Sequence, residues 1–103
     1  MNIALYIEHT NLSPTLTIRD IDQIVEEADE LGFLGVCVPP FWVKRAQREI
    51  GSRKIILVTV AGFPLGYSMT ETKLDEIKRA IDNGANEIDV VWNVTSFKTG
   101  LPW

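Results

Sequence analysis

The sequence has very little of the chemistry that organises small secreted or metal-binding proteins. It contains one cysteine, Cys37, and one histidine, His9. One thiol cannot close an intramolecular disulfide, and one thiol with one imidazole cannot form a cysteine-rich metal site. We therefore expect a fold that neither a disulfide nor a metal ion organises.

The sequence also lacks a long apolar run and an excess of positive charge. No uninterrupted apolar stretch approaches the ~20 residues of a membrane span, and no basic segment precedes an apolar block at the N-terminus. The net charge is −4, whereas nucleic acids and anionic lipid surfaces attract a positive protein face. We expect a cytoplasmic protein that binds no nucleic acid and no membrane, and whose partner is a small molecule or another protein.

The composition is that of an ordinary packed protein. Hydrophobic residues make up 46% and charged residues 23% of the 103 positions. A chain of this length has room for one domain, which we predict to span residues 1–103.

Four short apolar segments predict β-strands, at residues 3–7, 33–38, 54–60 and 87–92. Nearly continuous apolar runs of this length are typical of strands that are covered on both faces of a parallel sheet. Pro39 and Pro40 end the second segment, because neither can donate a hydrogen bond to a neighbouring strand.

Helical patterns separate these strands. Thr17 and Asp20 match a capping box, and apolar residues at helical spacing follow as far as Gly32. A shorter helix is predicted for residues 41–50, with Gly51 as its C-terminal cap.

A third helix is predicted to begin at Ser68, with Glu71 completing a second capping box, and to end before Gly84. The segment 93–103 is predicted to be too short and too broken to form another helix. Strand–helix alternation at roughly 25–30 residues per unit indicates βαβ crossovers and a parallel sheet. Two architectures fit, a flavodoxin-like open sheet or one half of an eight-stranded barrel, and the pattern leaves both open.

Ligands of either architecture gather at the carboxyl ends of the strands. The polar segment 8–11 follows the first strand, Cys37 lies near the end of the second, and the glycine-containing loop 62–66 follows the third. Each has a structural alternative: a capped strand end, a buried small hydrophobe and a plain tight loop. Asp89 is the sharpest signal, because an aspartate inside a β-branched strand is disfavoured and costly to bury unpaired. It faces either solvent or a lysine, or it points into a barrel as a proton-transfer group.

Four segments together resemble 2-deoxyribose-5-phosphate aldolase, in order and spacing: Ile7-Glu8-His9-Thr10-Asn11-Leu12, Val36-Cys37-Val38, Val60-Ala61-Gly62-Phe63-Pro64-Leu65-Gly66 and Asn83-Gly84-Ala85-Asn86-Glu87-Ile88-Asp89-Val90-Val91. The resemblance covers nearly all of this chain but only the first half of the family's chain, which is a TIM barrel. It therefore implies a parallel (βα)4 half-barrel.

The resemblance also implies roles for individual residues. Asp89 matches the family's proton-relay aspartate, and Cys37 matches a cysteine that lines the pocket without acting as nucleophile. Thr10 and Asn93 fall at matching positions beside the substrate pocket. Glu8 falls there too, where the family usually has an aspartate.

The family is a class I aldolase without a cofactor or metal. A lysine on a later strand forms a Schiff base with acetaldehyde, and the resulting enamine attacks glyceraldehyde 3-phosphate. The five lysines of this chain fall at positions where solvated charge is the usual interpretation: Lys44, Lys54, Lys73, Lys78 and Lys98.

We therefore expect the isolated chain to be inactive as a lyase. The alternatives are a non-catalytic folding or binding module that oligomerises, and a half-barrel completed by a partner chain. Four strands taken from a barrel leave two unpaired edges and one uncovered face, which predicts a homodimer.

Overall fold

Four parallel strands form one sheet in the order β1-β2-β3-β4. The computed structural model describes residues 1–100, in which the strands are β1 (Glu8–Thr10), β2 (Gly35–Cys37), β3 (Ile56–Ala61) and β4 (Glu87–Val90). Each strand pairs with its neighbour in sequence. A flavodoxin-like sheet would reverse its strand order at a switch point. The observed order is that of a half-barrel, so the open doubly wound alternative is wrong.

Helices connect the strands and cover one face of the sheet. They are α1 (Ile18–Leu31), α2 (Val43–Ile50), α3 (Thr70–Asp82) and α4 (Val94–Thr99), with short 3-10 turns at Ile3–Tyr6 and Pro40–Trp42. None of the helices within residues 1–100 has the length and apolar character that a membrane span requires.

The first long helix confirms its prediction. The Thr17 side chain accepts a hydrogen bond from the Asp20 backbone N–H while the Asp20 carboxylate accepts one from the Thr17 N–H, which completes the capping box. Gly32 closes the helix with a left-handed backbone, φ 69°. The buried face of α1 packs with β2, α2 and β3 in the main core: Ile21, Ile24, Val25, Ala28, Val36, Val38, Val43, Ala46, Ile50, Ile55 and Leu57.

The predicted position of the first strand is wrong, because none of residues 3–7 belongs to the observed strand. Residues 3–7 were expected to be extended, but Ile3–Tyr6 is a 3-10 turn whose start is held by the Asn2 side chain, which accepts from the Ala4 N–H. The strand is instead the polar segment Glu8–Thr10, which pairs with β2. Tertiary pairing decided this strand's position, and an apolar run alone does not carry that information.

The third and fourth helices also differ from prediction. α3 begins after Met69 with no side-chain cap, so the Ser68 capping box does not form. A short helix does follow β4, because the Asn93 side chain accepts from the Ser96 N–H at 3.1 Å and Gly100 ends it with φ 73°. The end of the predicted irregular segment, residues 101–103, lies outside the described residues.

The second face of the sheet is the inner face of the half-barrel. Its small apolar cluster consists of Cys37, Val58 and Val60, with Leu12 and Ile56 packed against it. The candidate site lies on this face, at the carboxyl ends of the strands.

Candidate active site

Strand register brings the predicted polar residues onto one face. Thr10 lies beside Cys37, and Asp89 lies beside Val60. Paired residues of a parallel sheet point to the same side, and residues two apart in a strand share a face. Glu8, Thr10, Cys37 and Asp89 therefore all lie on the inner face.

Asp89 is exposed on this face. Its carboxylate has no hydrogen bond or ion pair to another group within residues 1–100, so the neighbouring-lysine alternative is not what the structure shows. An exposed, unpaired carboxylate at the carboxyl end of a barrel strand is free to bind water or a substrate hydroxyl.

Cys37 is 4% exposed and packs with Val58 and Val60. Burial, together with the charges of Asp89 and Glu8, raises the pKa of the Cys37 thiol to about 11. A thiol with this pKa is protonated at neutral pH, and it therefore lines the face as a small apolar group.

The inner face is acidic. Burial raises the pKa of the Glu8 carboxyl, and the charges of Glu87 and Asp89 raise it further. None of the four strands carries a lysine or arginine. Among residues 1–100 no group of three histidine, cysteine or carboxylate side chains has the geometry of a metal site. The four strands thus present carboxylates and no lysine or arginine on this face.

Thr10 and Asn93 already have partners within the chain. The Thr10 hydroxyl donates to the Glu8 carbonyl at 2.9 Å. The Asn93 side-chain oxygen caps α4, as described above, and Asn93 is half-buried. Thr10, Cys37, Asp89 and Asn93 lie at or just after the carboxyl ends of their strands, whereas Glu8 is the first residue of β1 and pairs with Gly35, the first residue of β2.

The glycine-containing loop 62–66 approaches protein backbone closely. The Gly62 N–H donates to the Glu76 carboxylate at 2.9 Å, and Gly62 has φ 67°. A Cβ on Gly66 would lie 2.3 Å from the Trp92 carbonyl oxygen, so only glycine fits there. The loop is therefore held against the end of β4.

One of the five lysines was predicted wrongly. Lys73 is 8% exposed, and its ammonium donates to the carbonyls of Gly66 at 2.6 Å and Val91 at 3.0 Å. The sequence did contain a signal for this burial, because residue 73 shares a helical stripe with Ile77 and Ala80. The other four lysines are exposed, as predicted.

Sequence and fold together define the class of protein. No family model matches the chain. Curated relatives do: a deoxyribose-phosphate aldolase from Metamycoplasma hominis is 47% identical over 95 residues, which is 92% of this chain and 44% of the relative. Another from Bacillus mycoides is 48% identical over 100 residues, 97% of this chain and 45% of the relative.

Solved structures give the same result. A Coccidioides immitis protein assigned to the deoxyribose-phosphate aldolases matches with TM-score 0.93 and 40% identity, over 95% of this chain and 39% of that one. The deoxyribose phosphate aldolase from Aeropyrum pernix, described as tetrameric, matches with TM-score 0.85 and 33% identity over 90% of this chain and 40% of that one.

The chain is thus a parallel (βα)4 half-barrel with the fold of these aldolase structures, and its candidate site lies at the carboxyl ends of the strands. Within that class it is homologous to the deoxyribose-phosphate aldolases, as the sequence resemblance predicted. It spans about 45% of the length of the curated relatives.

Proposed function

We propose that this chain supplies the aspartate-bearing half of a deoxyribose-phosphate aldolase active site. The reaction of the whole barrel would be the reversible cleavage of 2-deoxyribose 5-phosphate to glyceraldehyde 3-phosphate and acetaldehyde. The observation that carries the proposal is the position of Asp89, which is unpaired within residues 1–100 and lies at the carboxyl end of β4 on the inner face.

Asp89 would act as the proton relay. In the cleavage direction a carbon–carbon bond breaks as the substrate hydroxyl on the departing aldehyde loses its proton. The enamine left on the lysine then gains a proton on carbon and hydrolyses to acetaldehyde. An exposed carboxylate can take the first proton and return the second through water.

The remaining inner-face residues would shape the pocket. Cys37 would provide apolar surface, since its raised pKa keeps the thiol protonated. Glu8, Thr10 and Asn93 would lie around the substrate, with Glu8 in place of the family's usual aspartate. Substrate phosphate would bind elsewhere in a whole barrel, because the inner face of this half is acidic.

We further propose that the 103-residue chain alone does not catalyse the reaction. A class I aldolase needs a lysine amine to form the Schiff base that stabilises the carbanion. The Lys73 ammonium is committed to two carbonyls. The four exposed lysines lie outside the strands.

A chimeric barrel tests the proposal. Residues 1–103 are joined to the part of the B. mycoides relative that this chain does not cover, and cleavage of 2-deoxyribose 5-phosphate is measured. We expect activity in the chimera and a loss of at least a hundredfold in kcat with Asp89→Asn, within the range of general acid–base effects. Asp82→Asn, an exposed aspartate on α3, is the control and should leave kcat unchanged. Full kcat in the Asp89→Asn chimera would overturn the proposal.

A second candidate function, an oligomerising module, is supported by the exposed apolar surface. Strands β1 and β4 are both sheet edges. Large apolar side chains are exposed near β4 and the loop before α3: Phe63, Leu65, Tyr67, Met69, Leu74, Val90, Trp92, Val94 and Phe97. Such edges and patches favour association. We propose a homodimer, in which two half-barrels cover each other.

Sedimentation equilibrium over at least a tenfold dilution tests the dimer. A mass near twice 11.6 kDa at the higher concentrations is expected. A mass near 11.6 kDa at every concentration, together with a sharp thermal transition, would rule it out.

The location we propose is the cytoplasm, because a phosphorylated sugar is charged and remains in the compartment where it is made. Fractionation of cells that express the tagged chain tests this, and recovery with the membrane or the medium would contradict it.

A further inference from the structure

Lys73 joins three parts of the fold that meet at the carboxyl end of the sheet. It lies on α3, and its ammonium donates to Gly66 O in the loop after β3 and to Val91 O just past β4. No carboxylate lies within 4.0 Å of this ammonium among residues 1–100, and the acceptors of its two hydrogen bonds are backbone carbonyls.

Three further contacts join the same segments around Lys73. A Cβ on Gly62 would lie 2.8 Å from Lys73 Cε, so the lysine stem packs directly on the loop backbone. The Val91 N–H donates to Ala61 O at 2.9 Å, and the Gly66 N–H donates to Gly62 O at 2.8 Å. Each carbonyl that Lys73 binds therefore belongs to a residue whose own N–H is also committed.

We propose that Lys73 is a positioning residue: its ammonium holds the end of β4 against the loop 62–66 and thereby fixes the Asp89 carboxylate on the inner face. The proposal rests on the proposed function for the importance of Asp89. A buried charge retained on an otherwise apolar helical stripe is costly unless its hydrogen bonds are satisfied. The two hydrogen bonds of Lys73 join Val91, which lies two residues after Asp89, to Gly66 in the loop 62–66.

Hydrogen exchange on the 103-residue chain tests the local part of this proposal. Lys73→Met keeps most of the apolar stem and removes the ammonium. We expect the amides of Val91 and Gly66 to exchange at least tenfold faster, with the amides of Val25 and Val36 unchanged. Lys78→Met, an exposed lysine on the same helix, should change none of them. Unchanged rates at Val91 and Gly66, or an equal rise everywhere, would overturn the proposal.

A thiol measurement tests the positioning of Asp89 itself. The Asp89 charge disfavours the Cys37 thiolate. Asp89→Asn should therefore speed modification of Cys37 by methyl methanethiosulfonate about twofold or more in the otherwise unchanged chain. In the Lys73→Met background we expect this ratio to fall towards one, because the carboxylate is no longer held. Each ratio compares the Cys37 reaction rates with and without Asp89→Asn in the same background, so a change in local opening that is common to both cancels. Equal ratios in the two backgrounds would overturn the proposal.

A measurement on the unchanged chain covers the case in which Lys73→Met does not fold. Brief reductive methylation followed by peptide mass spectrometry should label Lys73 at least tenfold more slowly than Lys78. Equal rates would show that the ammonium is not committed to the two carbonyls. None of these readouts depends on aldolase activity, so a failure of the proposed function and a failure of this inference are separately visible.

Discussion

Cys37 and Asp89 lie on the same face of the sheet, on either side of β3, and the Asp89 carboxylate disfavours the charged form of the Cys37 thiol. Burial is the main reason that the pKa of the thiol rises to about 11, and the Asp89 carboxylate is the next. The Cys37 thiol is therefore neutral at neutral pH, as an unreactive pocket wall beside the proposed proton relay requires.

The first prediction concerns the rate at which Cys37 reacts. A thiol of pKa about 11 has a thiolate fraction at pH 8 that is roughly a hundredfold below that of an ordinary cysteine. Reaction with an aromatic disulfide should be slower by about that factor in the native chain than in denaturant. Equal rates would show that the thiol is neither buried nor shifted.

The second prediction concerns Glu8. Its pKa is raised in the folded chain by burial and by the charges of Glu87 and Asp89. The folded state therefore binds a proton more readily than the unfolded state, and stability falls as pH rises from the unfolded pKa through the folded one. Glu8→Gln should raise the unfolding free energy at pH 7 by about 0.5 kcal/mol, on the scale of cross-strand charge pairs. The gain should vanish below about pH 4. Urea titrations at the two pH values measure this, and a loss of stability at pH 7 would contradict it.

The third prediction concerns the start of α1. The Thr17 side chain caps the Asp20 N–H. Thr17→Ala should lower the unfolding free energy by about 1 kcal/mol. Thr72→Ala, at an exposed position inside α3, is the control and should be neutral or slightly stabilising because alanine favours a helix interior. Equal urea midpoints for Thr17→Ala and the unchanged chain would show that the cap is dispensable.

The fourth prediction concerns the energetic role of Asp89. Its carboxylate is exposed and unpaired within residues 1–100, so its removal breaks no hydrogen bond or ion pair in this part of the chain. Asp89→Leu should change the unfolding free energy by no more than about 0.5 kcal/mol. Val60→Ala, at the buried neighbour in the register, should cost about 1–3 kcal/mol. A large loss with Asp89→Leu would mean that the carboxylate stabilises the fold.

The alternation of strands and helices could be predicted from the sequence, but the exact positions of the strands could not. The α1 capping box and the Gly32 cap are local chemistry, and both form as predicted. The position of β1 was not predicted. The strand is the polar segment Glu8–Thr10, which pairs with β2 and begins directly after the apolar run at residues 3–7. Hydrophobic periodicity could not predict the order of the strands in the sheet either. That order was predicted from the family resemblance.

The roles of the candidate site residues stay predictions, and the contacts of those residues could not be predicted from the sequence. Asp89 stood out because a carboxylate in a β-branched strand needs a reason. Asn93 was predicted beside the pocket, while the structure also gives its side chain a capping contact with Ser96. The burial of Lys73 was not predicted, because a charged side chain usually lies in solvent. Its position on the apolar stripe of α3 did indicate the core. Its acceptors are far apart in sequence, and no local pattern contains them.

Reductive trapping with acetaldehyde shows whether the covalent lysine lies outside this chain, as expected if this chain provides the proton relay and another part of the barrel provides the lysine. The 103-residue chain and the chimera with the B. mycoides relative are each treated with acetaldehyde and borohydride, under limiting conditions, and mapped by mass spectrometry. We expect one dominant adduct in the chimera, on a lysine outside residues 1–103, and no site-specific adduct in the isolated chain. A dominant adduct on one lysine of the isolated chain would contradict it.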